Sequence, residues 1–447
     1  MQHLKRKIDK FLLDWKNDSD RLPLIISGAS GVGKTSAVDY FGKNNYTNYI
    51  KINFLTEPQY TDIFDLSFNV DKIIKKISMH NPSLNFIPNE TLIFFDEIQK
   101  CPNVLTSLKA FKIDGRYDVI CTGFTAGINF KDVDSISVGY KMDYKMNSLD
   151  FEEFLWAKGY KKEQIEKLYT CMKECIPLSD VEFNVMTECF NEFMLLGGMP
   201  SIVSKFIENK NYSGILDMQK KMVKDYEDNI IKYASFYEKD KILNVYRNIP
   251  IFLANKNKKF QITKVKKGAR NREYYEAINW LSNSGIVNIC YSLDELCLPL
   301  KGNYNSSKYK LYFADSGLLI ASLDNESQDD LRKNQNFNTC NYAIYENIVA
   351  DMLVKEGYNL SFYKNEKGTL EIAFFVRDAN SLIPVEVNSK KYATASLNNL
   401  IESDKYKDIK YGIKLCNKNI GFNGKFYTFP YFMTFLLKRF LLEKNDN

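Results

Sequence analysis

The chain has 447 residues, 45% hydrophobic and 26% charged, with a formal net charge of +6. That length carries a prior of about three domains, each able to bury a core, and so mild a charge leaves only local clusters to speak of partners. Two histidines leave little for zinc or triad chemistry, and nine scattered cysteines, an odd number, argue against a disulfide framework and for a reducing cytoplasm.

The N-terminus alternates apolar and charged residues, unlike a leader, and no apolar run approaches the ~18–20 residues of a membrane helix. A cytoplasmic location with no membrane partner is therefore expected. Residues 3–16 place Leu4, Ile8, Phe11, Leu12 and Trp15 on one helical face, an amphipathic entry helix. Next comes LIISGASGVGKTS at 24–36, a buried strand, a glycine-rich turn and a helix start. Gly28, Gly33, Lys34 and Thr35 fill the pattern G-x-x-x-x-G-K-[ST]. Glycines let the loop turn its backbone N–H groups onto a phosphate, and the helix that follows faces the anion with its positive end. Gly28, Ala29, Ser30, Gly31, Val32, Gly33, Lys34, Thr35 and Ser36 are thus expected to hold ATP. Lys34 would reach the β and γ phosphates, and Thr35 would ligate Mg²⁺.

A second strand is expected at 49–54. TLIFFDEIQK at 91–100 then reads as a strand covered on both faces that ends in two acids. Asp96 is expected to hold Mg²⁺ and Glu97 to activate the attacking water. A further strand at 117–121 ends at Thr122, expected beside the γ-phosphate. Strands alternating with helices predict an α/β parallel sheet over 1–148.

GASGVGKTS, FFDEIQKCP and VICTGFTAG, in this order, resemble bacterial and archaeal AAA-type P-loop ATPases that carry a C-terminal domain of unknown function. LDFEEFL (149–155), LLGGMP (195–200), KYKLYFADSGLL (308–319) and YAIYENIVADML (342–353) extend the resemblance along the chain. Tyr140 and Phe124 stand where that family often has arginine and serine. The resemblance implies a helical lid over 149–239, in which a long polar helix is expected at 215–239. Cys171 and Cys175, four residues apart with no second ligand pair, are expected to pack on a lid helix.

Over 240–325, helices followed by a hairpin (287–291 with 309–313) predict a winged helix whose third helix spans 272–284. Lys256, Lys258, Lys259, Lys264, Lys266, Lys267, Arg270 and Arg272 lie here with no acid between them. They fit either phosphate contacts on double-stranded DNA or a solvated lysine-rich face. Aromatic interleaving there is thin, which disfavours single-strand stacking.

Residues 335–447 resemble the PD-(D/E)XK nuclease-like fold. Its metal site needs an acid on one strand, then an acid and a lysine two apart on the next. Residues two apart share a strand face. Glu346 and Glu386 match, whereas Ala373 stands for the aspartate and Asn388 for the lysine. Glu371 and Lys390 are the available substitutes, and a nuclease fold without nuclease activity is expected. The expected function is an Mg-dependent ATPase, with a homo-oligomer as a further expectation. Arg21, Arg116, Arg247, Arg270 and Arg272 are the arginines that could act across subunits. Two alternatives stand: a nucleotide-gated scaffold with negligible hydrolysis, and an ATP-regulated metal-dependent nuclease.

Overall fold

The computed structural model describes residues 3–65, 68–124, 127–128, 137–255, 258–323, 328, 337–365, 370–387 and 394–445. Lys256, Asn388 and Lys390 lie outside them. The chain forms two compact units, one of Met1–Ser148 with Asn283–Gly285, the other of Leu149–Ser282 with Ile286–Asn447.

In the first unit, α1 (Lys7–Asn17) buries Ile8, Leu12 and Trp15. It starts later than its apolar pattern because Arg6 is extended (φ −127°, ψ 156°). Five parallel strands follow: β1 (Leu24–Ser27), β2 (Asn48–Asn53), β3 (Thr91–Asp96), β4 (Asp118–Gly123) and β5 (Met142–Lys145), in spatial order β2-β3-β4-β1-β5. β3 is buried at every position, as its unbroken apolar run requires between two helical layers. Helices α2 (Lys34–Asn45), α3 (Val70–His80) and α4 (Val104–Asp114) connect the strands. The core on one face joins Ile50 and Ile52 of β2, Ile93 and Phe95 of β3, Ile73 and Ile77 of α3, and Leu108 and Phe111 of α4.

The second unit opens with α5 (Phe151–Ala157), α6 (Lys162–Lys173), α7 (Asp180–Leu196), α8 (Pro200–Asn209) and α9 (Ile215–Tyr233). The long helix expected to reach residue 239 stops at Tyr233, because Ala234 turns extended (φ −75°, ψ 150°). Cys175 falls past the end of α6 at φ 54°, so the expected helical pair with Cys171 does not form. Then come α10 (Lys239–Ala254), the single turn α11 (Ile262–Val265), α12 (Asn271–Asn283) and the antiparallel pair β6 (Val287–Leu293) and β7 (Tyr304–Phe313). Val287 pairs with Phe313 and Tyr291 with Tyr309.

That hairpin is not isolated. β6 also pairs in parallel with β8 (Ser361–Lys364), and β8 pairs with β9 (Glu371–Ile372). The order β7-β6-β8-β9 thus joins residues expected in two different modules. A second sheet contains β10 (Phe374–Arg377), β11 (Leu382–Val387), β12 (Gly412–Cys416), β13 (Gly421–Phe422) and β14 (Phe426–Pro430), ordered β10-β11-β12-β14-β13. The strand expected to run unbroken through Glu371 and Ala373 is therefore two strands. It bends at Ala373 and passes from one sheet to the other, so Glu371 and position 373 do not share one strand face.

The segments LDFEEFL, LLGGMP and FADSGLL, the last running into α13 (Ser316–Ala321), meet in one buried knot beside α14 (Phe337–Lys355). Leu149 N–H donates to Gly198 O at 2.7 Å, and Gly198 N–H donates to Asp315 Oδ2 at 2.8 Å. Lys355 Nζ donates to Leu149 O at 3.1 Å and to Asp351 Oδ2 at 2.6 Å. A Cβ on Gly198 would stand 2.1 Å from Leu149 O, so glycine is required there by close approach.

Candidate nucleotide site

The site forms at the carboxyl ends of β1, β3 and β4. Gly28 leaves β1 at φ 151°, and a Cβ there would lie 2.1 Å from the Met146 carbonyl oxygen. The loop thus folds against the chain leaving β5, and only glycine fits at that approach. Gly33 caps α2 at φ 96°, turning the first helical N–H groups toward the loop. Arg6, which the sequence reading passed over, braces this loop from outside. Its guanidinium donates to Val32 O at 3.1 Å and to Asn147 O at 2.8 Å.

Lys34 Nζ donates to the Gly28 and Ala29 carbonyls at 2.9 and 2.8 Å. Burial pulls its pKa down to about 8, against the opposing pull of Glu97 and Asp96. A partly desolvated ammonium whose hydrogen bonds go to neutral carbonyls is well placed to gain from a phosphate.

Asp96, 2% exposed, is the centre of the site. Thr35 Oγ1 donates to its two oxygens at 3.2 and 3.1 Å, joining α2 to β3. Asn53 stands opposite Asp96 in the β2–β3 register and donates Nδ2–H to Oδ2 at 3.0 Å. Lys51 Nζ lies 3.8 Å from the same oxygen and 3.0 Å from Asp39. Thr122, expected beside the γ-phosphate, is fully buried and donates its hydroxyl to Asp96 Oδ1. Its strand lies between the loop strand and the acidic strand, so the hydroxyl points sideways at the acid.

Glu97 adopts a left-handed conformation (φ 60°, ψ 44°), and its carboxylate accepts from Gln99 Nε2. Gln99 in turn accepts from the Phe124 N–H at 3.1 Å. A Cβ on Gly123 would sit 2.7 Å from Gln99 Oε1, so the missing side chain makes room for this link. Gln99, two places after Glu97 on the same turn, belongs to the FFDEIQKCP segment that carries the resemblance, but its contact with Glu97 was not read from it. Asn53 carried no sequence signal, because strand register puts it beside Asp96.

The hydroxyl of Thr35 and the carboxylate of Asp96 are both hard oxygen donors in direct contact, a set that suits hydrated Mg²⁺. Three of the arginines considered for action across subunits are held by carboxylates of their own chain: Arg21 by Asp118 at 2.7 Å, Arg116 by Asp114 and Asp71 at 2.6 Å, and Arg247 by Glu227 at 2.7 Å.

The acids expected in the C-terminal module are arranged differently. Glu346, 2% exposed, accepts from Lys258 Nζ at 2.5 Å, Lys310 Nζ at 3.1 Å and the Tyr312 hydroxyl at 2.5 Å. Burial alone would raise its pKa, but the two ammoniums hold it at about 2. Lys258 is therefore a core residue and leaves the exposed basic run it was expected to join. Glu371 is held by Lys364 at 2.8 Å, and Glu386 lies on β11 in register with Lys414. No group of three acids, histidines or cysteines able to hold a metal occurs among the described residues. No helix among them is long and apolar enough to cross a membrane.

Residues 20–155 match a family model described as an AAA domain, residues 187–329 a domain of unknown function (DUF8612), and residues 343–432 another (DUF4143). An uncharacterized protein of Haemophilus influenzae is 23% identical over 342 residues, covering 74% of this chain and 72% of that protein. Among solved structures, a Walker-type ATPase of Pyrococcus abyssi aligns at TM-score 0.41 and 14% identity, over 72% of this chain and 96% of that one. The ORC1 protein of Aeropyrum pernix, in complex with DNA, aligns at TM-score 0.29 and 11% identity, over 74% and 91%. The AAA match, together with the parallel sheet and the loop–lysine–acid geometry, makes the N-terminal region a P-loop AAA-type ATPase fold.

Proposed function

We propose that the chain binds Mg-ATP at the β1–α2 loop and hydrolyses it. The observation that carries this reading is the contact of Thr35 Oγ1 with Asp96, beside a partly desolvated Lys34 and with Glu97 next in the chain. Lys34 would bind the phosphates, and Thr35 and Asp96 would hold Mg²⁺, which when bound offsets phosphate charge. Asn53 and Thr122 fix the Asp96 carboxylate in place and are positioning residues. Gln99 orients Glu97, which takes the proton from the attacking water.

The order α10, α11, α12, β6, β7 supports a winged helix within the second unit. Lys264, Lys266, Lys267, Arg270 and Arg272 are all exposed and support nucleic acid as its partner. The order of α14, the antiparallel β10–β11 pair and the parallel β12 supports a nuclease-like module. The two lysines on Glu346 support its lack of nuclease activity.

Steady-state phosphate release tests the leading reading. Glu97→Gln should keep ATP binding and lose about 10²–10⁴-fold in rate, whereas Lys34→Ala should lose binding itself. Wild-type protein that binds ATP without releasing phosphate would favour a nucleotide-gated scaffold. A Glu97→Gln variant at the wild-type rate would move the base elsewhere.

A further inference from the structure

A groove of about 460 Å³ runs between α12 and the β6–β7 hairpin. Arg272, Tyr275 and Asn279 line it from the helix, and Tyr291, Ser307 and Tyr309 from the strands. The spacing of Arg272, Tyr275 and Asn279 puts them on one helical stripe. Among the described residues no carboxylate lines the groove; Glu273 and Glu276 of the same helix are not among its residues.

Three features mark it as a ligand site rather than a packing gap. Tyr275 is 50% exposed, leaving a ring face open to the groove. Tyr309 is 4% exposed, yet its hydroxyl meets no hydrogen-bond partner among the described residues. A buried hydroxyl left unpaired is uncommon, and the edge of a bound group would satisfy it. Arg272 lines the groove, and Lys264, Lys266, Lys267 and Arg270 precede it in the chain, all exposed. A run of exposed cations with no acid between them favours a polyanion.

We propose that this groove takes an unstacked base of single-stranded nucleic acid while the adjacent cations hold its phosphates. The proposal rests on the reading of the second unit as a nucleic-acid binder and changes its partner from duplex to single strand. Duplex bases are stacked on one another and offer edges only. A strand with free bases can lay a ring on tyrosine and present its polar edge to Asn279, Ser307 and the Tyr309 hydroxyl. The basic run is poor in aromatic residues in sequence. The rings reach it from the hairpin, Tyr291 and Tyr309 being brought over by the β6–β7 register.

The test is fluorescence anisotropy of the full chain with labelled oligo(dT) and with a blunt duplex of equal length, across a salt series. Oligo(dT) should bind more tightly. Tyr275→Ala, at a half-exposed position, should weaken oligo(dT) by about 5- to 100-fold and leave the duplex unchanged, and Tyr275→Phe should restore it. Charge reversal at Lys264, Lys266 and Lys267 should weaken both ligands and flatten the salt slope by up to about three units for the duplex. Unchanged oligo(dT) affinity in Tyr275→Ala, or equal affinity for strand and duplex, would overturn the groove assignment and leave the cations as a duplex-binding surface. No binding of either ligand by the wild type would overturn both readings.

Discussion

Asp96 and Glu346 are both buried carboxylates at the heart of a sheet-based unit, and their neighbours set them apart. Asp96 is met by two hydroxyls, an amide and a backbone N–H, with its nearest lysine nitrogen at 3.8 Å. Neutral donors fix a carboxylate without cancelling its charge, so it can still hold a cation. Glu346 is closed by two ammoniums and a phenol in direct contact. Its charge is already neutralised, and a metal would have to displace buried lysines. One acid keeps its charge among neutral donors, and the other is neutralised by lysines of its own chain.

The largest expected effect tests the closed centre. Removing one partner of a buried ion pair leaves an uncompensated charge, which costs about 3–5 kcal/mol. Lys310→Met should therefore lower the unfolding free energy by about 3 kcal/mol, near the low end because Lys258 stays beside Glu346. Lys310→Met with Glu346→Gln should recover part of the loss. Chemical denaturation measures both, and a Lys310→Met variant as stable as wild type would mean that Glu346 is not tied down.

A smaller effect tests the open centre. With Lys34 titrating at about 8 in the free protein, the ammonium that phosphate requires is present below that pH and lost above it. Binding phosphate raises this pKa again. ATP affinity should be flat to about pH 8 and then fall, by about tenfold at pH 9. Lys34→Arg, which cannot titrate there, should give a flat profile over the same range. Isothermal titration across this range reads the slope, and a flat wild-type profile would contradict the burial of Lys34.

The contrast also explains what could be read in advance. The glycine-rich loop and the acidic strand were legible because their pattern is local: Gly28, Gly33, Lys34 and Thr35 lie in one loop and helix start, and Asp96 ends β3 with Glu97 next in the chain. Gln99 was within reach by the same logic. Asn53, Thr122 and Arg6 find their partners through register and loop approach, which one stretch of sequence does not encode. The second unit misled for the same reason. The apolar run through Ala373 looks continuous, yet the chain changes sheets there. Lys258 reads as one lysine in a basic run, but β6–β7 and α14 close around it. The end of α9 at Tyr233 has no glycine or proline to announce it.

The central claim is that one acid centre can take a divalent cation and the other cannot. Mn²⁺ titrated against the full chain with and without a non-hydrolysable ATP analogue, read by electron paramagnetic resonance, tests it most directly. The account predicts a single tight ion that depends on nucleotide, is lost in Asp96→Asn and is kept in Glu346→Gln. A tight ion that binds without nucleotide, survives Asp96→Asn and disappears in Glu346→Gln would contradict it.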